Sequence, residues 1–318
     1  MKNENNNIQD LENFANRMQA AVTACIGYCA DVSLDQIIRN NDEKRTALII
    51  RKKGTDIGAV VYLEPYFMDH QKGVPLGHLV QKVIDTYSAN SCKEPVGLDF
   101  IKDYSRVKKM LSFRLVNRER NKEILKDSPY EAFLDLALIP CCVIFLENGS
   151  TGQIRIKNSY LTQWGIHPSQ VLKDAKENAR RFVKIEFVSI SQFISSLGDD
   201  PDECDDEEMT LAEEEQHLKA EMLADVMYTL TNTDHFYGSA VLAIPEYLKL
   251  VGDKLGNSYY ILPSSVHDLV IVNDPEADPK ALKKMVREVN MGPTVDCEEI
   301  LSYNVYFYDR ETGNIQIK

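Results

Sequence analysis

The segment that most constrains the fold is residues 259–272, where two short apolar runs enclose a polar turn. Both runs, Tyr259–Leu262 and Leu269–Val272, are rich in aromatic and β-branched residues, which favour strands. The turn between them begins with Pro263 and is otherwise mostly hydroxyl, imidazole and carboxyl groups. The pattern predicts two core strands joined by a tight connection, and loops on a rigid scaffold often carry function.

Two interpretations of this turn are open. In the first, Ser264 or Ser265 is a nucleophile, His267 its base and Asp268 the carboxylate that orients the base. The close spacing argues against it, because such triads are usually assembled from distant segments, and the chain has no Gly-x-Ser-x-Gly motif. In the second interpretation the segment is a helical cap, because Pro followed by Ser-Ser-x-His-Asp is close to a capping box in which His267 or Asp268 reaches back, and this is the interpretation we favour.

A second polar turn follows a predicted strand at residues 226–231 and contains Asn232, Asp234 and His235. Its amide, carboxylate and imidazole groups are candidates for ligand contact, with His235 also a candidate catalytic residue. The alternative is an Asx-turn that joins two elements. Tyr260, in the strand before the first turn, completes the candidate binding residues. If the two turns meet at one end of a sheet, the functional interpretation gains weight.

Composition excludes several classes of function. The 318 residues carry a formal net charge of −13, which disfavours nucleic acids and anionic membranes as partners. The longest apolar run, residues 136–146, is well short of the roughly 20 residues that span a bilayer. There is no phosphate-binding loop, dinucleotide fingerprint or zinc motif, so we expect no cofactor and no metal site.

The seven cysteines form no Cys-x-x-Cys pair, and their number is odd. This usage favours reduced, partly buried thiols rather than a disulfide framework. No apolar segment typical of a secretory signal follows the N-terminal residues. A cytoplasmic location is therefore the expectation.

Periodicity predicts an α+β fold of two or three small modules, each a short, largely antiparallel sheet packed with helices. The first hundred residues follow the order helix, strand, strand, helix. The expected boundaries are a first module at 1–115, a central hairpin-plus-helices module at 116–197, and a C-terminal module at 216–318. Between them, at 198–215, lies an acidic linker or mobile loop: eleven of residues 199–215 are Asp or Glu. This block lacks the glycine of a calcium-binding loop.

Several strings in the chain carry a family resemblance. They are 230–232, 238–242, 260–267 and 308–313, with the earlier 62–67 and 133–137 in agreement. Together they resemble an uncharacterised family of low-GC Gram-positive gut bacteria. Residues 134–273 are more distantly similar to a second uncharacterised family, that of the bacillar YtpQ proteins. The resemblance implies membership only, because neither family brings an activity or a catalytic residue.

Two functional hypotheses from different classes follow. The first is a non-catalytic binding or adaptor protein whose partner is another protein, because no catalytic motif is present. The alternative is a hydrolase or transferase that works at the polar turns 232–235 and 263–268, because hydroxyl, amide, carboxyl and imidazole groups gather there. Whether the chain is an enzyme therefore depends on the geometry of these turns.

Overall fold

The computed structural model of the protein describes residues 2–55, 58–90, 98–145, 151–192, 226–292 and 295–318. It divides into two compact units, Met1–Tyr104 and Ser105–Lys318. Helices and short antiparallel sheets alternate along the chain, so the predicted α+β class is confirmed. The predicted acidic linker at 198–215 lies outside the described residues.

The first unit is a three-stranded sheet covered by helices. Its helices are α1 (Lys2–Ile26), α2 (Glu64–Gln71) and α3 (Leu76–Asn90), and its antiparallel strands, in the order β1-β2-β3, are β1 (Ala30–Ile38), β2 (Lys44–Lys52) and β3 (Gly58–Tyr62). The β2–β3 hairpin is as predicted. The expected order of helix, strand, strand, helix is wrong, because β1 precedes the hairpin and α2 follows it. Strand β1 escapes prediction because charged and polar residues fill its outward positions.

The second unit contains two sheets. The four-stranded sheet is formed by β4 (Leu111–Asn117), β5 (Glu131–Phe133), β6 (Leu136–Phe145) and β7 (Thr151–Arg155), with β6 paired to the other three. The six-stranded sheet has the order β13-β12-β10-β11-β9-β8 and contains β8 (Ile185–Ser189), β9 (Met227–Asn232), β10 (Tyr259–Leu262), β11 (Leu269–Val272), β12 (Tyr306–Asp309) and β13 (Asn314–Ile317). Strand β8 thus shares a sheet with strands that follow residue 226.

Among the described residues from 104 onward, the α-helices are α4 (Tyr104–Lys108), α5 (Lys122–Lys126), α6 (Asn158–Trp164), α7 (Pro168–Phe182), α8 (Pro245–Leu255) and α9 (Pro279–Asn290). Helix α8 starts with proline and ends at Gly256, whose φ of 77° is the left-handed conformation that glycine adopts without strain. These bounds agree with the prediction. A 3-10 turn, Gly238–Ala243, connects β9 to α8.

The six-stranded sheet buries both of its faces. Because side chains alternate along a strand, Tyr259 and Ile261 enter the main core with Tyr306, whereas Tyr260 and Leu262 face α9. Helix α9 covers this second face with Leu282 and Val286, one turn apart. Each large apolar side chain fully buried in this way contributes about 1.5–3 kcal/mol to folding.

Two buried tyrosines, Tyr259 and Tyr306, make the free energy of unfolding decrease at alkaline pH. The hydroxyl of Tyr259 donates to the carbonyl oxygen of Leu248 at 2.9 Å, and that of Tyr306 donates to Asp135 Oδ1 at 2.8 Å. Burial is the main cause that raises the pKa of both tyrosines, followed by Tyr308 for Tyr259 and by Asp135 for Tyr306. In the unfolded chain a tyrosine titrates near pH 10. The folded state therefore holds its protons while the unfolded state loses them.

We expect the free energy of unfolding to be constant with respect to these groups below about pH 10 and to fall as the pH rises above it. The slope should approach about 1.4 kcal/mol per pH unit for each tyrosine. Urea titrations between pH 8 and pH 11 measure it. The variant Tyr259→Phe should remove one tyrosine's share of the slope, and an unchanged slope in this variant would contradict the assignment.

Candidate functional site

The two polar turns predicted from the sequence lie side by side at one end of the six-stranded sheet. The backbone N–H of Tyr237 donates to His267 Nδ1 at 3.1 Å. Ser239 donates to the carbonyl oxygen of Val266 through both its backbone N–H and its hydroxyl, at 3.3 and 2.6 Å. The hydroxyl of Thr231 donates to the carbonyl oxygen of His267 at 2.9 Å. The two polar turns therefore do meet at one end of the sheet, a question that the sequence left open.

The first turn is organised by Asn232, which is 4% exposed. Its side-chain amide donates to the carbonyl oxygen of Phe236 and accepts from the N–H of the same residue, both at 3.1 Å. Its carbonyl oxygen accepts from the N–H of His235. His235 and Tyr237 have positive φ angles of 48° and 50°, a conformation that is uncommon for residues other than glycine. The amide of Asn232 thus closes a strained loop.

The second turn is organised by Ser265. Its Oγ accepts from the backbone N–H groups of His267 and Asp268 at 2.9 and 3.0 Å, while its own N–H donates to the carbonyl oxygen of Asp268. Within the described part of the chain, no serine hydroxyl bonds to the ring of His267. Because Nδ1 of that ring accepts from a backbone N–H, its lone pair is not directed at a nucleophile. Ser265 and His267 therefore accept from backbone N–H groups in this conformation. The predicted helical cap is wrong, because residues 263–268 form no helix and lead directly into β11.

The remaining polar residues of the first turn contact other strands. His235 Nε2 lies 3.4 Å from a carboxylate oxygen of Glu186 in β8, and the side chain of His235 is half exposed. The carboxylate of Asp234 accepts from the hydroxyl of Thr151 in β7 at 3.3 Å. The two histidines therefore have different partners. Among the described residues, no group of three or more His, Cys, Asp or Glu side chains has a geometry suited to a metal ion.

An apolar cleft of about 180 Å³ opens beside the second turn, and we name it the α9 cleft. Its lining residues come from the second face of the six-stranded sheet, from the turn and from helix α9: Met227, Leu262, Pro263, Ser264, Val270, Met285, Val286, Val289 and Asn290. Met285 and Val289 remain 44% and 51% exposed, although they are apolar. Tyr260, which is buried, packs on the same face of the sheet.

Of the candidate residues, only Ser264 lines the α9 cleft, and the residues that form its helical wall were missed. The sequence alone does not single them out. Leu282, Met285, Val286 and Val289 have the i, i+3, i+4, i+7 spacing of an ordinary core-facing helix. Only the structure shows that Met285 and Val289 stay half exposed while Leu282 and Val286 are buried.

A family model described as "Family of unknown function (DUF5688)" matches residues 11–310. No significantly similar curated protein was found. No significantly similar solved structure was found either. In the described residues, no helix combines the length and the apolar character needed to cross a membrane.

Proposed function

The chain belongs to the DUF5688 family of unknown function, and we propose that it is a non-catalytic binding protein that holds an apolar side chain of another protein in the α9 cleft. The observation that carries the proposal is the pair Met285 and Val289, apolar and half exposed at the edge of an apolar cleft. Exposed apolar surface of this kind is typical of interaction sites.

The size of the α9 cleft favours a protein over a small molecule. Pockets for cofactors and drug-sized ligands usually measure about 300–1000 Å³. The α9 cleft, at about 180 Å³, is smaller and suits one large side chain. A single inserted aromatic or aliphatic residue is the usual anchor of a protein interface. The cleft lining is mostly apolar. One of its polar side chains, the amide of Asn290, already donates to the carbonyl oxygen of Ser302.

The charge of helix α9 indicates the character of the partner. A second concavity of about 510 Å³ lies on this helix and is lined by Lys280, Lys283, Lys284, Arg287, Glu288 and Met291. Four of these six residues are cationic, in a chain whose net charge is −13. At 3.6 residues per turn, the basic residues lie on the side of α9 away from Met285 and Val289. A segment that uses both surfaces has one large apolar anchor in the cleft and Asp or Glu residues far enough along the segment to reach around the helix. We take this kind of acidic protein segment as the occupant.

The enzyme alternative has weaker support. Hydrolysis or group transfer at the polar turns would need a hydroxyl within hydrogen-bond reach of an imidazole. In the present geometry Ser265 accepts bonds from backbone, and His267 does the same. We also propose a bacterial, cytoplasmic setting. It is supported by the family-like strings in the sequence and by the free thiols of Cys25, Cys29, Cys141, Cys142 and Cys297.

The α9 cleft is tested by selecting a displayed library of random 12-residue peptides on the full chain. We expect enriched peptides to share one large apolar residue and acidic residues several positions away from it, because the basic surface lies on the other side of α9. Met285→Asp should weaken the binding of such a peptide by about tenfold or more, because it places a charge at an apolar anchor site. Since Met285 is only about half buried, the variant should lower the free energy of unfolding by no more than about 1 kcal/mol. Fluorescence anisotropy of a labelled peptide measures the affinity.

Met68→Asp is the matched control, because Met68 is also an exposed methionine on a helix but belongs to the first unit. It should leave peptide binding unchanged. Enrichment of peptides without acidic residues would reject the chosen partner, as would displacement of the peptide by a single-stranded oligonucleotide. Self-association that Met285→Asp abolishes would assign the cleft to a second copy of the chain.

A further inference from the structure

A further concavity of about 490 Å³ lies in the second unit, between the end of β4 and the start of β5. We name it the α5 concavity, because half of its lining residues belong to helix α5. The lining residues are Arg118, Glu119, Lys122, Leu125, Lys126 and Tyr130. The volume is within the range of about 300–1000 Å³ that is usual for small-molecule sites. The α5 concavity shares no lining residue with the α9 cleft, so the two are separate.

Buried polar groups fix the backbone on which this concavity is built. The side-chain carbonyl oxygen of Asn117 accepts from two backbone N–H groups of the turn 118–121, both at 3.1 Å. The side-chain amide of Asn121, which is fully buried, donates to the carbonyl oxygen of Asn117 at 2.8 Å. At the far end of α5, Arg155 donates to two oxygen atoms of the segment 124–128, at 2.9 and 2.7 Å. A site that is held in this way loses little conformational entropy when a ligand binds.

The α5 concavity is positively charged, although the chain as a whole is acidic: three of its lining residues are cationic and one is a carboxylate. Lys122 and Lys126 lie one turn apart on α5 and share one face. Each has a carboxylate nearby, that of Glu119 at 3.1 Å and that of Glu123 at 2.5 Å. The half-buried Arg118 differs, because no hydrogen bond or ion pair engages its guanidinium within the described part of the chain. A guanidinium stays charged and presents a planar fork of donors, so this group suits a carboxylate or a phosphate.

Tyr130 adds an aromatic ring to the same concavity. It is 44% exposed, whereas the two residues before it, Ser128 and Pro129, are buried and anchor the segment. The buried Leu125 contributes apolar surface to the lining. Because aromatic faces stack on flat rings, an exposed ring among cations favours a ligand that has both a flat ring and a negative charge. The basic concavity on α9 has no aromatic residue in its lining.

We propose that the α5 concavity binds a small organic anion in which a flat ring is linked to a phosphate or a carboxylate. The guanidinium of Arg118 donates to the oxyanion, Lys122 and Lys126 add positive charge, and the ring of the ligand stacks on the ring of Tyr130. The ring and the oxyanion are both required, because each meets a different part of the concavity. This binding does not depend on the protein partner of the α9 cleft.

Isothermal titration calorimetry of the full chain at pH 7 and constant ionic strength tests the proposal. Adenosine monophosphate and naphthoate each combine a ring with an oxyanion, and at least one of them should bind saturably. Adenosine lacks the oxyanion, whereas ribose phosphate and acetate lack the ring. These three should bind more weakly than the better complete probe by about tenfold or more. Preference between the two complete probes tells a phosphate from a carboxylate. Saturable binding of neither complete probe overturns the proposal, as does equal binding of a probe that lacks the ring or the oxyanion.

Two substitutions assign the contacts. Arg118→Gln should weaken the binding of the better probe by about tenfold or more, because it removes charge-assisted hydrogen bonds. Tyr130→Ala should weaken it by about fivefold or more, whereas Tyr130→Phe keeps the ring and should retain the affinity. Both side chains are partly exposed, so the variants should fold, and far-UV circular dichroism checks this.

Lys283→Gln is the matched control, because it removes a cation from the basic concavity on α9 in the same unit. It should leave the affinity of the probe unchanged. Equal losses in Arg118→Gln and Lys283→Gln would mean a general effect of charge, and the proposal would be wrong. Equal affinities of Tyr130→Ala and Tyr130→Phe would also reject it, because the ligand would then not contact the ring.

Discussion

Replacement of Gly238 by alanine is expected to destabilise the second unit by about 3–5 kcal/mol, the range in which overpacking and lost hydrogen bonds combine. A Cβ atom at this position would overlap the hydroxyl of Thr231 and the carbonyl oxygen of His267, and it would lie 2.8 Å from the backbone nitrogen of Asn232. Two of these three atoms belong to backbone, which cannot move without separating the turns. The hydrogen bond from Thr231 to His267 would be lost as well.

Urea unfolding followed by the fluorescence of Trp164 measures this effect, because the only tryptophan of the chain lies in the second unit. Gly256→Ala is the matched control. No atom lies within 4 Å of a Cβ at Gly256, so that variant meets only the strain of its positive φ, about 1–2 kcal/mol. Equal stability of the two variants would show that the contact of Gly238 with Thr231, Asn232 and His267 is not needed to hold the two turns together.

Local chemistry made much of the fold predictable. The α+β class, the β2–β3 hairpin and the bounds of α8 follow from alternation, turn residues and the proline and glycine at the helix ends. The turn around Ser265 is of the same kind, because a serine that accepts from the next backbone N–H groups is a local pattern.

Local sequence patterns do not determine which distant strands pair with each other. Strand β11 lies between β9 and β10, and this order brings His267 to the N–H of Tyr237, which is 30 residues away. The position of β8 beside β9 is likewise a long-range property. The alternation of Ser112 and Arg114 with Phe113 and Leu115 was visible in the sequence, yet the contacts that these two polar side chains make depend on distant segments, such as the ring of Tyr237 beside Arg114.

The carboxylate of Asp135 is a second point on which the second unit depends. It precedes β6 and accepts three hydrogen bonds from the segment that leads into β12: from the hydroxyl of Ser302 at 2.6 Å, the amide of Asn304 at 3.0 Å and the hydroxyl of Tyr306 at 2.8 Å. Ser302 and Tyr306 are fully buried. The carboxylate thus joins the four-stranded sheet to the six-stranded sheet.

Asp135→Ala should therefore lower the free energy of unfolding by about 3–5 kcal/mol. The variant leaves three donors without an acceptor, and a buried donor that loses its partner costs about 1–3 kcal/mol. The same Trp164 fluorescence in urea measures the change. Asp135→Asn should cost less, because one amide oxygen still accepts.

Glu177→Ala is the control for loss of a carboxylate as such, because Glu177 lies in the second unit that Trp164 reports. Glu177 forms an exposed ion pair with Lys173 at 3.8 Å on α7, and exposed pairs of this kind are worth about 0–1 kcal/mol. A small effect of Asp135→Ala, similar to that of the control, would mean that water replaces the carboxylate and that the two sheets are held by apolar packing alone. A large effect would show that the three hydrogen bonds to Asp135, and not apolar packing alone, hold the two sheets together.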